Sequence, residues 1–275
     1  MPVQKRIYFL IALLVLTSCT SLPLVEEKTN EITGDVVGEG IEVTVNVEDT
    51  ITIANWNLHI FGKTKASNEE LLQSYAEKIR QHDIIFVQEI RDSSATAFLA
   101  LCALLDGYDC TASSRAGTTQ SKEQYGIIYK NTIELLSITD YNPEYATVFE
   151  RPPVQARFQI GAETLDIVNI HTDPDLVPQE LEALDQLIQE EGNSMIIGDL
   201  NADCSYYKPA KEPDFDTWTW VIQDTEDTTV ASTDCAYDRI ILSDQLAPEV
   251  NGYGIDTNVT EEQSDHYLVW VELEK

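Results

Sequence analysis

Met195-Ile196-Ile197-Gly198-Asp199-Leu200-Asn201-Ala202-Asp203-Cys204-Ser205-Tyr206 begins as a short apolar run and breaks abruptly into small, polar and acidic residues. A buried strand ending in Gly-Asp-x-Asn has this composition: the strand is core, and its carboxyl tip presents side chains. Asp199 and Asn201 are two residues apart, so on an extended backbone both project to the same side. A carboxylate beside an amide that donates hydrogen bonds suits a phosphoryl group held with a hard divalent cation. The plain alternative is a strand running into an Asx-rich turn.

Working outward, residues 51–57 read as a strand closing at Asn57, and 83–87 as an apolar strand running into Gln88-Glu89-Ile90-Arg91-Asp92. Between them Ser67 to Glu70 reads as a capping box, with Leu71, Leu72, Tyr75 and Ile79 at helical spacing behind it. Residues 94–106 read as an apolar helix. A polar loop over 113–124 leads into a strand over 125–129. Residues 154–160 and 164–170 alternate, and the second run stops at His171. Pro178 suits the first turn of a helix through about Gln189. Strands over 239–242 and 267–273 complete the pattern. Strand after strand thus ends in a residue able to do chemistry: Asn57, Glu89, His171, Asp199, Asn201. Asp238 and His266 stand just before strands, as in chains running the other way. A single histidine at a strand end is usually structural; this many polar strand ends point to one functional sheet edge.

The chain has 275 residues, 43% of them hydrophobic, enough for one large domain with a substantial core. Its formal net charge of -31 argues against a basic protein that coats nucleic acid. It leaves room for an enzyme whose cleft is neutralised by metal ions and a few arginines. Lys5 and Arg6 precede an apolar run over 7–16 too short to span a bilayer, followed by Leu16-Thr17-Ser18-Cys19. That ending resembles the lipobox of prokaryotic lipoproteins, in which the cysteine is acylated; an ordinary cleaved signal is the alternative. Residues 1–19 are therefore expected to be an export signal, 20–48 an acidic tether and 49–275 the folded domain. The protein is expected outside the cytoplasm, membrane-anchored or secreted, where its four remaining cysteines are free to form disulfides.

The polar strand ends, with Phe61-Gly62-Lys63-Thr64, Ser121-Lys122-Glu123-Gln124-Tyr125, Arg151-Pro152-Pro153, Asp227-Thr228-Thr229, Cys235-Ala236-Tyr237-Asp238-Arg239 and Ser264-Asp265-His266-Tyr267, run in the order of a known family. The chain resembles the endonuclease/exonuclease/phosphatase superfamily and, within it, deoxyribonuclease I. The resemblance covers nearly everything from residue 51. It implies an α/β four-layered sandwich, two mixed and mostly antiparallel sheets face to face with helices outside. It implies a Cys204–Cys235 disulfide; Cys102 and Cys110 are left as a possible second pair. It also implies a metal-dependent endonuclease acting on DNA, without an obligate protein partner and monomeric.

Residue by residue, the resemblance implies two histidine–carboxylate pairs for acid/base catalysis, His171 with Glu123 and His266 with Asp238. Asp199 and Asn201 would orient the scissile phosphate, and Asp199 serves also as a possible metal ligand. Glu89 and Asn57 would ligate Mg2+ or Mn2+, with Asp265 a further metal candidate. Arg151 would contact phosphate and Arg91 would enter the minor groove. Asp227 and Thr229 match a structural Ca2+ loop. Ser121 stands where family members carry a tyrosine that packs on the sugar, and no second, disulfide-closed Ca2+ loop is visible over 139–152. Two alternatives stand beside the nuclease: a phosphodiesterase acting on lipid head groups or other small phosphodiesters, and a non-catalytic surface binding module.

Overall fold

The computed structural model describes residues 50–118, 122–188, 192–208 and 214–275. The export signal with Cys19, the tether over 20–48 and Ser121 lie outside the described residues. In chain order the elements are β1 (Thr50–Phe61), α1 (Lys63–Ala66), α2 (Glu69–Ile79), β2 (Ile84–Ile90), α3 (Thr96–Cys102) and β3 (Tyr108–Ala112). Next come β4 (Gln124–Lys130), β5 (Glu134–Asp140), β6 (Val154–Ile160), β7 (Glu163–His171), α4 (Val177–Leu187) and β8 (Ser194–Asp199). The last are β9 (Thr219–Trp220), β10 (Asp238–Leu242), β11 (Val250–Asp256) and β12 (Leu268–Glu274).

They form two six-stranded sheets, ordered β11-β12-β1-β2-β4-β3 and β5-β6-β7-β8-β10-β9. Neighbours are antiparallel except β1 with β2 and β7 with β8. Each parallel pair lies third and fourth in its sheet and is joined by a helical crossover, through α2 or α4, as parallel neighbours require. The residues of β2 and β8 are buried throughout, because both faces of these strands are covered. Alternation sorts their side chains: Ile84 and Phe86 face the core between the sheets, with Met195 and Ile197 from the other sheet. Ile85 and Val87 face α2 and α3, beside Trp56, Tyr75 and Phe98. Ile196 faces α4, beside Leu181 and Leu184. The order helix, sheet, sheet, helix is the four-layered sandwich expected.

Local corrections have local causes. The cap of α2 is Asn68, whose side chain accepts from Leu71 N at 3.1 Å. Ser67 instead closes α1, donating to Thr64 O. The helix expected over 94–106 is only Thr96–Cys102. Its amino end is held by Asp92, which accepts from Ala97 N at 3.0 Å and from Thr96 Oγ1 at 2.8 Å. Beyond Cys102 the chain turns through Gly107, at φ +84°, into β3. Helix α4 likewise stops at Leu187, short of Gln189, which lies outside the described residues. Strand β1 runs past Asn57 to Phe61, but its regular pairing breaks at Asn57, where His59 and Ile60 take positive φ. Both disulfides are formed, Cys204–Cys235 and Cys102–Cys110, with Cα separations of 5.9 and 6.2 Å.

Candidate active site

The carboxyl ends of the two parallel pairs meet. Asn57 ends the regular part of β1 and Glu89 lies near the end of β2; His171 and Asp199 close β7 and β8. Asn57 Nδ2 donates to Asp199 Oδ2 at 2.9 Å across the sheets and lies 3.4 Å from Glu89 Oε1. Gly198 makes the second pair possible: a Cβ there would lie 1.9 Å from Ile170 O, its register partner on β7. That close approach is why Gly precedes Asp199.

Two histidines flank Asp199. His171 Nδ1 lies 2.7 Å from Glu123 Oε1, and His266 Nδ1 lies 2.7 Å from Asp238 Oδ2. Each Nε2 lies 3.4 Å from Asp199 Oδ2. The carboxylate at Nδ1 fixes the ring and leaves Nε2 directed at Asp199, where a proton could be exchanged. Each pair spans the sandwich, in opposite senses. Glu123 precedes β4 of the first sheet and serves His171 of the second; Asp238 opens β10 of the second and serves His266, which precedes β12 of the first.

Burial works against a charged imidazole at both positions, and for His171 Arg151 does too. Glu123 and Asp199 outweigh this and raise the pKa of His171. Asp238 and Asp199 raise that of His266 to about 10. Asp199, although buried, is held below the ordinary carboxylate range by His266 and His171. Burial pushes Asp238 up to about 6 against the pull of His266. Within that pair the proton belongs on the ring.

The donor set fits a hard divalent cation. Glu89 is 9% exposed and turned by a left-handed backbone, φ +60°. Its Oε2 accepts from Ile60 N, which leaves Oε1 toward Asn57 and Asp199. Burial opposes its charge, but His171 and Arg91 hold its pKa low. One or two carboxylates are a sufficient protein share for Mg2+ or Mn2+. Asn57 turns its Nδ2 toward them while its Oδ1 accepts from His59 N at 2.9 Å, so its oxygen would reach a cation only with the amide turned over. The ligand atoms of Asp199, Asp238 and His266 also lie within 4.8 Å of one another.

Other expected residues are placed differently. Asn201 does not extend the strand: its φ is +48°, and its side chain donates to Thr172 O at 3.1 Å, so the same-side argument fails there. Arg151 lies inward, donating from Nε to His171 O at 2.8 Å and from Nη2 to Thr172 O at 2.6 Å. Arg91 also folds inward, toward Glu89 and Glu123. Asp265, half-exposed, has Oδ1 3.4 Å from His59 Nδ1 and 3.9 Å from His266 Nε2. Asp227 accepts from Thr229 N and Oγ1 at 2.9 and 2.7 Å, so here the two close a turn on each other.

Several supporting residues carried no assigned role in the sequence. Tyr125 OH donates to Arg151 O and accepts from His171 N. Ser264 Oγ donates to Asn57 O and accepts from His266 N, inside the quoted Ser-Asp-His. Arg239, fully buried, donates to Ala202 O and Ile222 O and thereby anchors the turn after Asp199. Beneath the site lies a layer of buried amides: Gln88 donates to Asn55 Oδ1 and Asn169 Oδ1, and Asn169 donates to Asn55 Oδ1. Asn55 and Asn169 each stand two residues before a site residue, the one signal that could have marked them.

Comparison with known proteins follows this geometry. The model of the Endonuclease/Exonuclease/phosphatase family matches residues 54–266. Deoxyribonuclease-1 of Homo sapiens is 31% identical over 261 residues, covering 82% of this chain and 92% of that one. Deoxyribonuclease-1 of Gallus gallus is 31% identical over 237 residues, covering 78% and 84%. Among solved structures, an endonuclease/exonuclease/phosphatase from Bacteroides vulgatus superposes with a TM-score of 0.62 at 18% identity, covering 82% and 98%. A Danio rerio TDP2 complexed with single strand DNA product gives 0.60 at 15%, covering 82% and 99%. At such identities these two likenesses speak for the fold.

Proposed function

The chain belongs to the endonuclease/exonuclease/phosphatase family as a deoxyribonuclease I-like hydrolase, and from that premise we propose that it is an exported, divalent-metal-dependent endonuclease hydrolysing DNA by two-histidine acid/base catalysis. The observation that carries the mechanism is the pair of histidines, each with Nδ1 on a carboxylate and Nε2 3.4 Å from Asp199 Oδ2.

Diester hydrolysis needs a base for water, a proton for the leaving oxygen and compensation of charge on the phosphoryl group. One histidine accepts the water proton at Nε2 and the other gives its Nε2 proton to the leaving oxygen. Glu123 and Asp238 stabilise the imidazolium forms. Asp199 sits between the two nitrogens, and Asn57 and Asn201 fix the walls of the site. A bound Mg2+ or Mn2+, held by Glu89 and Asn57 with Asp199 or Asp265 in support, would neutralise phosphate charge. Arg151 backs the site by tying the carbonyls of His171 and Thr172; with DNA bound it adds positive charge beside the phosphate.

The same reading includes an export signal over 1–19 with lipidation at Cys19, an acidic tether over 20–48, and a monomeric catalytic domain over 49–275 on the extracytoplasmic side. The turn at Asp227 and Thr229 is the place for a structural Ca2+.

The test uses the purified full chain, supercoiled plasmid and Mg2+ or Mn2+, with and without Ca2+, across a salt series. Metal-dependent nicking is expected, and His171→Ala and His266→Ala should each lower it about 10²- to 10⁴-fold. A folded protein that nicks at no salt concentration would overturn the assignment.

A further inference from the structure

Arg91 stands two residues beyond Glu89, where a finger reaching into a DNA groove would begin. Its side chain is instead only 24% exposed. One guanidinium nitrogen, Nη2, lies 2.9 Å from Glu89 Oε2 and 3.1 Å from Glu123 Oε2. The two acids have different tasks. Glu89 is the carboxylate best placed for a cation, whereas Glu123 holds the ring of His171 through its other oxygen. The main chain of Arg91 is tied down as well: its N donates to Phe61 O at 2.8 Å, and its O accepts from Arg115 Nη2 at 3.3 Å.

We propose that Arg91 is a positioning residue, a clamp that locks the cation-binding carboxylate Glu89 to the histidine-orienting carboxylate Glu123. The proposal deepens the hydrolase reading of this site and rests on it. Both acids are buried, Glu123 to 1% exposure, and both lie within 3.1 Å of the same nitrogen. Two such carboxylates repel unless a cation stands between them. Among the described residues Glu123 Oε2 accepts no hydrogen bond, and the positive charge beside it is Arg91. Arg151 Nε, at 3.6 Å, reaches only the other oxygen, Oε1.

Without Arg91, two consequences follow together. Uncompensated negative charge draws a divalent cation in more strongly. Glu89 and Glu123 lose their fixed separation, so the cation and the His171 ring no longer hold their places relative to the phosphate. Arg91→Gln therefore binds metal more tightly and turns over more slowly. A groove finger gives a different pattern, because its loss weakens DNA binding and leaves metal affinity and small-substrate turnover alone. A merely structural role would weaken metal binding.

The experiment compares the full-length wild type, Arg91→Gln and Arg91→Lys. Mn2+ affinity is measured by calorimetry on substrate-free protein. Steady-state kinetics use supercoiled plasmid and bis(p-nitrophenyl) phosphate, a diester with no groove. Arg91→Gln should bind Mn2+ about three- to tenfold more tightly. Its kcat should fall about tenfold or more on both substrates, with little change in KM for plasmid. Arg91→Lys keeps a charge between the acids; it should retain wild-type Mn2+ affinity and recover part of the turnover, and it carries the test if Arg91→Gln does not fold. Unchanged or weaker Mn2+ binding in Arg91→Gln overturns the proposal, as does a defect confined to KM for plasmid in either variant. If the folded wild type cleaves neither substrate, the hydrolase reading fails, and the calorimetry still decides the clamp by itself.

Discussion

His82, in the turn between α2 and β2, has a buried ring whose Nδ1 meets no hydrogen-bond partner among the described residues. Burial lowers its pKa from 6.5 to about 4, only partly offset by Asp256 and Asp83. The unfolded chain therefore takes up a proton as pH falls through 6.5, whereas the folded protein resists until about 4. This contribution to stability is complete above pH 6.5 and is lost between 6.5 and 4, on the order of 3 kcal/mol. Urea melts at pH 7, 5.5 and 4.5 measure it: the wild type minus His82→Leu difference should fall across the series, and a flat difference would contradict it. At the same scale, Asp199 was legible because it ends an apolar run, and Asn201 was misplaced because alternation holds only while the strand lasts. At Asn201 the chain has already turned, a conformation asparagine tolerates better than most residues.

Elements were legible in proportion to their burial. The four strands with no sequence signal are β3, β5, β9 and β11, the outer strands of the two sheets. In β5 only Leu135 and Asp140 are even half-buried, so no apolar alternation is imposed on it. The central pairs are covered on both faces and show as apolar runs. The meeting of β7 and β8 depends on Gly198. Gly198→Ala would drive its methyl into Ile170 O, at a cost of more than about 3 kcal/mol, read as a loss of denaturation midpoint or of soluble protein. The Cys204–Cys235 bridge joins the turn after β8 to the segment before β10 across 31 residues. In the chain-entropy picture such a loop contributes about 3–4 kcal/mol. Cys204→Ser with Cys235→Ser should lower the urea midpoint accordingly and reduce activity before the protein unfolds globally, because the first of these segments carries Asn201 and the second leads directly into Asp238.

At the scale of the molecule, the net charge of -31 sets how the protein responds to salt. Self-repulsion is screened over about 10 Å at 0.1 M salt, so the melting temperature should rise with added NaCl up to molar concentrations. Plasmid nicking should pass through a maximum, as screening first relieves repulsion from DNA and then weakens each phosphate contact. A melting temperature indifferent to salt would show the acidic surface to be already neutralised. The sandwich itself was legible through its core strands, but the amide layer of Asn55, Gln88 and Asn169 was not, since each residue alone reads as an ordinary polar position in a strand. Finally, each histidine and the carboxylate it touches come from opposite sheets. Neither sheet alone can pair a histidine with its carboxylate, whichever folds first. A chain still on the ribosome or stalled part-way through folding therefore lacks both pairs, and hydrolysis is expected only once the two sheets have closed on each other.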